Sequence, residues 1–270
     1  MHKYKISLIF TENLKSNMKK EVKHAHLIID RTGEVHTTNE GYEVEIIEYI
    51  TNKDCSIRFN CGHIIRNIRY ECVKDGRIRN VYHPSVCGIG YVGEGKYSST
   101  NDKQCYEVWR GMIRRCYEEK ILLKHPTYRG CSVHTEWKCF QVFAKWYYKN
   151  YRYNFNLDKD ILKKGNKVYS PKTCCFVPHE INCLFTKSNG TRGKYPIGVS
   201  FHKQHQKFYS CIRKIDRAIF IGLFNTIEEA FQAYKKTKED HIKEKADEWK
   251  DRVEQKVYKA MYNWVVEITD

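Results

Sequence analysis

Hydrophobic and polar positions follow two different rhythms along this chain of 270 residues. Between positions 42 and 82, β-branched and aromatic residues gather in short runs: Tyr42 to Ile50, Ser56 to Phe59, Ile64 to Cys72 and Ile78 to Tyr82. Turn-forming Asn52-Lys53-Asp54, Cys61-Gly62 and Lys74-Asp75-Gly76 separate them, which predicts a small β unit. The first 35 residues keep little period and read as a polar arm.

From position 102 the spacing changes. Val108, Trp109, Met112, Ile113 and Cys116 recur at steps of three and four, predicting a helix over 102–118. Trp137, Phe140, Phe143 and Trp146 predict a second over 135–149, with its aromatics in the core. Lys103, Arg110, Arg114 and Arg115 fall off the first stripe. They read as a solvated face paired with Glu107 and Glu118, or as an edge facing phosphate. Two short strands, Phe155 to Asp158 and Cys174 to Val177, flank a Lys-Lys-Gly-Asn loop, and a helix opens after Pro178. Three further strands are predicted at 197–202, 207–213 and 218–223. Thr226-Ile-Glu-Glu229 is a capping box. The helix it opens is expected to run to about 264, because Trp249, Val253, Val257, Ala260 and Trp264 keep helical spacing. Its lysines, interspersed with glutamates, read as a salt-bridged solvated face.

The apolar runs are too short for a membrane span or a signal peptide, so a soluble, cytoplasmic protein is expected. Charge adds a partner. The chain carries 48 Lys and Arg against 32 Asp and Glu, a net +16. The excess is +9 over residues 101–190 and +5 over 191–250, but only +3 over the first hundred. With 20 Tyr, 12 Phe and 5 Trp interleaved, this predicts a polyanion-binding surface, with nucleic acid as the polyanion.

Two tempting motifs do not change that picture. Gly88-Ile-Gly90-Tyr-Val-Gly93 spells a dinucleotide fingerprint, and Gly90 to Lys96 nearly spells a P-loop, but no helix follows either. The twelve cysteines contain no Cys-x-x-Cys pair. Cys61-x-His63 and Cys131-x-x-His134 with Cys139 are the nearest approach to zinc spacing, and reduced, buried thiols are the expected reading.

The stretch Leu157-Asp158-Lys159-Asp160, Gly165-Asn166-Lys167 and Cys175-Phe176-Val177-Pro178-His179-Glu180-Ile181-Asn182 resembles the core of the HNH, or His-Me finger, nucleases. The resemblance implies a β-hairpin and helix gripping one divalent metal, Mg²⁺ or Mn²⁺, with Asp158 and Asn182 as its ligands. An oxygen-rich pair suits such a hard ion, which would shield the scissile phosphate. Lys159 stands where the family carries its catalytic His. An unperturbed lysine titrates near 10.4 and neighbouring carboxylates push it higher, so Lys159 is a poor base and a better phosphate contact. His179, three residues before Asn182 on one helix face, is the substitute base.

The segment from Gly198-Val199 through Lys207-Phe208-Tyr209, Ile212-Arg213, Ile219-Phe220-Ile221-Gly222 and Thr226 to Ala233-Tyr234 resembles the Apetala/ethylene-response-factor type of DNA-binding domain. That resemblance implies a three-stranded sheet laid in the major groove and backed by one helix. Strand alternation sends Val199, Phe201, Phe208, Ser210, Ile212, Ile219 and Ile221 toward Ala230, Ala233 and Tyr234. It leaves Ser200, His202, Tyr209, Cys211, Arg213 and Phe220 for DNA. His202, Lys203, Lys207, Tyr209, Arg213, Lys214, Arg217 and Phe220 are the expected contacts.

The two resemblances in this order are similar to phage HNH homing endonucleases, which implies a phage-encoded protein inside a bacterial host. The expected fold is α+β in four stretches. Residues 1–97 form a β-rich region of unknown role and 98–188 an HNH-like ββα domain. Residues 189–249 form the sheet-type DNA reader and 250–270 a helical extension. The expected function is binding of double-stranded DNA with metal-dependent phosphodiester cleavage. The alternative is a non-catalytic protein of the same descent that regulates through its grip on DNA. A sheet reader suits B-form DNA better than the deep, narrow groove of A-form RNA.

Overall fold

The computed structural model describes residues 29–186, 193–214 and 217–270. The expected N-terminal arm falls largely outside the described residues. The protein has a mixed α+β fold whose described residues separate into two compact units that divide after His83. Residues 84–97, read from sequence as the tail of the N-terminal region, pack with the second unit through Val86, Ile89, Val92 and Tyr97.

In the first unit, β1 (Val35–Thr37), β2 (Glu43–Thr51), β3 (Asp54–Phe59) and β4 (Ile64–Ile68) form one antiparallel sheet in chain order. Alternation buries Val44 and Ile46 of β2 with Ile57 and Phe59 of β3. The run expected as one strand to Cys72 stops at Ile68. Asn67 takes a positive φ of 57°, and α1 (Tyr70–Lys74) follows, covering the sheet with Val73. Ile78 to Tyr82 is no strand either. Side chains satisfy its backbone: Asn80 N–H donates to Glu40, and Tyr82 N–H donates to the Asn80 side chain.

The second unit begins with the glycine-rich loop, which is packed rather than poised for a nucleotide. Gly93 has φ +74°, and a Cβ there would lie 2.6 Å from Cys139 Sγ. Then come α2 (Lys103–Tyr117), α3 (Glu119–Lys124), β5 (Ser132–Val133), α4 (Phe140–Asn150), β6 (Phe155–Asp158), β7 (Val168–Tyr169), β8 (Cys175–Pro178) and α5 (His179–Leu184). The stripe of α2 buries Trp109, Met112 and Ile113 against Phe140 and Phe143 of α4. The Trp109 indole N–H donates to the Trp137 carbonyl at 2.7 Å.

Strand β8 is buried along its whole length and divides two cores. Phe176 joins the α2–α4 core, while Cys175 and Val177 join a second core around Ile161, Ile181, Ile242 and Met261. A four-residue strand with both faces covered is continuous in apolar residues rather than alternating.

The C-terminal sheet has the order β11-β10-β9, from β9 (Val199–His202), β10 (Lys207–Lys214) and β11 (Arg217–Phe224). It packs on α6 (Ile227–Trp249) through Val199, Ile212, Ala230, Phe231 and Tyr234. Ala233, expected in that contact, is only half-buried. Gly198 makes the contact possible: its φ is +77° and a Cβ would sit 2.0 Å from the Tyr234 ring. The capping box at Thr226 and Glu229 is formed in both directions.

The expected helix to about 264 is instead two. Helix α6 ends at Trp249, and α7 (Gln255–Tyr262) folds back so that Val257 and Met261 meet Ile242 and Ala246. In one continuous helix Ile242 and Val257 would be about 22 Å apart. The lysines of α6 are partly paired, Lys235 with Glu239 and Lys245 with Glu248. Half-buried Lys238 differs: burial draws its pKa down to about 8. Among the described residues no helix is long and apolar enough to cross a membrane.

Candidate nucleic-acid interface and hairpin site

The register of the C-terminal sheet sorts its side chains. Tyr209 lies opposite Ser200 and Leu223, Lys207 opposite His202, Cys211 opposite Phe220 and Arg213 opposite Ala218. Directly paired residues share a face, so these form the side turned away from α6. Phe220 is 56% exposed there, and its ring stacks on Tyr209 with centroids 5.5 Å apart. Lys207 and Arg213 are exposed and make no ion pair with described residues. Lys203 is exposed on the β9–β10 turn. His202 is half-buried, with its ring beside that of His205.

Two of the expected contacts lie elsewhere. Lys214 and Arg217 are paired with each other and share the helix-facing side. Lys214 donates to Glu244 of α6 at 3.0 Å, so its charge is largely answered inside the domain. Ile221 occupies a bulge opposite the Ser210–Cys211 step and packs with the helix-side core. Beyond that bulge the phase shifts, and Leu223 rather than Gly222 lies on the outer side. Phe201 and Ile219 hold the inner register yet stay 37% and 43% exposed.

The hairpin reads in the same way. Strand β6 pairs antiparallel with β8, Asp158 opposite Cys175 and Asn156 opposite Val177, and β8 runs straight into α5. Strand, strand and helix thus follow one another as expected, with Asp158 ending β6 and His179 and Asn182 on α5. Asp158 Oδ1 accepts the backbone N–H groups of Asp160 and Ile161 at 2.9 and 2.8 Å. Burial, and then the charge of Asp160, pushes the Asp158 carboxyl up to about 6. Asn182 is half-buried and makes no side-chain hydrogen bond to another described residue.

Lys159 leaves that face. Its amine, 8% exposed as a residue, donates to Asp160 at 2.9 Å and lies over the Tyr169 ring. Burial opposes its charge, but the Asp160 hydrogen bond and charge more than offset this and hold its pKa above the usual lysine value. A buried, paired ammonium is not presented as a phosphate contact would be. His179 is exposed at the start of α5. Its Nδ1 lies 3.3 Å from the Asn156 amide and its Nε2 3.4 Å from Cys183 Sγ. Asn156 and Cys183 were not singled out in the sequence. The i,i+4 spacing of His179 and Cys183 on a helix is the signal that could have found the thiol.

The donor set at the hairpin fits a hard divalent ion in type: the Asp158 carboxyl, with that of Asp160 beside it, and the Asn182 side-chain oxygen. Among the described residues no three His, Cys, Asp or Glu side chains converge as a metal-binding group. All twelve cysteines are free thiols. Cys131 is buried, His134 exposed beside Glu136, and Cys139 bonded to the Val92 carbonyl. Comparison of the chain with protein-family models, curated proteins and solved structures finds no match.

Proposed function

We propose that this protein binds double-stranded DNA through the outer side of its C-terminal sheet. The observation that carries this reading is the row Lys207, Tyr209, Cys211 and Arg213 along β10, with Phe220 stacked on Tyr209. Two cations without a carboxylate partner among the described residues bracket an aromatic pair, half-buried Tyr209 and exposed Phe220, on the side turned away from α6. Arginine suits phosphate and guanine equally, and exposed rings add flat apolar contact. Within the sheet the β10–β11 pair has the form of the two-stranded ribbon that a B-form major groove admits.

A second reading, metal-dependent cleavage of the phosphodiester backbone, is supported by the β6–β8–α5 arrangement. In it Asp158 and Asn182 would hold Mg²⁺ or Mn²⁺, which would shield the negative charge of the scissile phosphate. His179, with a ring nitrogen oriented by Asn156, takes the proton of the attacking water. Lys159 stays out of the reaction, anchored to Asp160.

The test is direct. Purified full-length protein is titrated into labelled duplex DNA, then incubated with supercoiled DNA plus Mg²⁺ or Mn²⁺. Saturable binding that weakens in Arg213→Ala supports the DNA reading, and its absence at low salt refutes it. Nicking that disappears in Asp158→Ala and His179→Gln supports cleavage. Binding without nicking leaves the non-catalytic alternative.

A further inference from the structure

Arg115 of α2 is held in place by aromatic and hydroxyl groups, with no counter-ion among the described residues. Its Nε–H donates to the Tyr169 hydroxyl at 3.2 Å, and its guanidinium lies over the rings of Tyr169 and Tyr128, 5.6 and 5.9 Å from their centroids. No carboxylate of a described residue pairs with it, and its terminal N–H groups bond to no described residue. The arginines around it differ: Arg110 pairs with Glu107, and Arg114 with Glu118. A guanidinium taken largely out of water and left unpaired is costly to the fold. Three aromatic and hydroxyl contacts nevertheless fix its orientation.

Arg115 lines a cleft of about 520 Å³ together with Lys120, Lys124, His125 and Tyr128. Lys120 and Lys124, four residues apart on α3, project on one face and form no close ion pair with a described residue, although the charge of Lys120 is felt by Glu118. The acid of α3, Glu119, is turned to Arg129 at 3.6 Å. Among the described residues Glu118 is the one carboxylate lining the cleft, and it is held chiefly by Arg114. The walls are fixed independently. Lys167 donates to the Thr127 carbonyl at 2.9 Å, which pins the turn carrying Tyr128, and the Tyr117 hydroxyl accepts the Val133 N–H beside β7.

We infer that this cleft binds phosphate, with Arg115 as the oriented fork and Lys120 and Lys124 as flanking point charges. The planar guanidinium matches two phosphate oxygens at once, and a site with its side chain already ordered loses little entropy on binding. Phosphate can come from the backbone of a nucleic acid or from a free polyphosphate. The inference stands apart from the C-terminal sheet, which shares none of these residues.

The experiment uses the full chain with two probes, inorganic tripolyphosphate followed by calorimetry and a short mixed-sequence duplex followed by fluorescence anisotropy. Arg115→Gln is compared with Lys120→Gln/Lys124→Gln, whose two exposed positions leave the core untouched. A tripolyphosphate affinity lowered about tenfold or more in both variants identifies a free polyphosphate as the source. A duplex affinity lowered by a similar factor, with the salt slope smaller by about one per contact removed, identifies the nucleic-acid backbone. Either result supports the cleft, even where Arg213→Ala has no effect. If the lysine double variant, folded by circular dichroism, binds both probes as wild type does, the inference is overturned. It is equally overturned if wild type binds neither.

Discussion

Tyr209 and Phe220 stack on the outer side of the C-terminal sheet although neither is the other's direct cross-strand partner. Tyr209 faces Leu223 and Phe220 faces Cys211, so the rings meet along the diagonal at 5.5 Å. A diagonal ring pair of this kind contributes about 0.5–1.5 kcal/mol beyond area burial. Phe220→Ala is therefore expected to lower unfolding stability by that amount plus the area term of a half-exposed ring, about 1–3 kcal/mol together, while duplex affinity falls clearly. Chemical denaturation and anisotropy on the same samples check this. A stability loss with unchanged DNA affinity would make the pair purely structural.

Arg213 and Arg217 separate by face. Arg213 lies on the outer side and Arg217 on the helix side with Lys214. Arg213→Ala is expected to reduce discrimination between preferred and random duplexes by about 1–3 kcal/mol, as loss of a base contact does. Arg217→Ala should affect preferred and random duplexes alike or not at all. Selection of a preferred site from a random pool, followed by competition titrations, checks both.

Salt gives a third measurement. The +14 balance of residues 101–250 predicts that the logarithm of duplex affinity falls linearly with the logarithm of salt, with a slope of about −0.9 per phosphate contact. A slope near zero between low and physiological salt would falsify the DNA reading.

Asp158 carries a pH signature. Its folded pKa is raised, by burial and then by Asp160, to about 6 from an ordinary value near 3.8. The raised value means the protonated form is favoured in the fold. Its stabilisation is fully present below the ordinary pKa and is lost as pH rises through about 6. Asp158→Asn, which keeps an oxygen for the N–H groups of Asp160 and Ile161, should then melt higher than wild type at pH 7.5 and close to it at pH 3.5. Added Mg²⁺ or Mn²⁺ should raise the melting temperature of wild type at pH 7.5 and not that of the variant. Thermal scans at both pH values, with and without the ions, decide this without any assay of cleavage.

Gly198→Ala tests what supports the sheet. The residue sits at φ +77°, and a Cβ would lie 2.0 Å from the Tyr234 ring. A left-handed alanine costs about 1–2 kcal/mol before the clash is relieved. A melting temperature equal to wild type would mean that Tyr234 and the sheet edge move apart freely.

The hydrophobic rhythm of the chain was enough to locate what depends on neighbours in sequence. The three-and-four spacing of Trp109, Met112, Ile113 and Cys116 marks α2. Pro178 marks the start of α5, and the pairing of Thr226 with Glu229 marks the start of α6. In each case hydrogen bonds and packing within a few residues decide the outcome, so local pattern and structure agree. Tertiary structure alone decided the rest. Helical spacing through Val257 and Trp264 is the same for one long helix as for two packed ones, and only burial of Met261 against Ile242 distinguishes them. Strand alternation assigns a face until a bulge shifts it, and the bulge at Ile221 becomes visible only when β11 is paired with β10. A lysine after Asp158 carries no mark of whether it meets solvent or the Tyr169 ring. Arg114 and Arg115 are adjacent and chemically identical, yet one finds Glu118 and the other Tyr169, because a helix turns them about 100° apart toward surroundings that only the folded chain assembles.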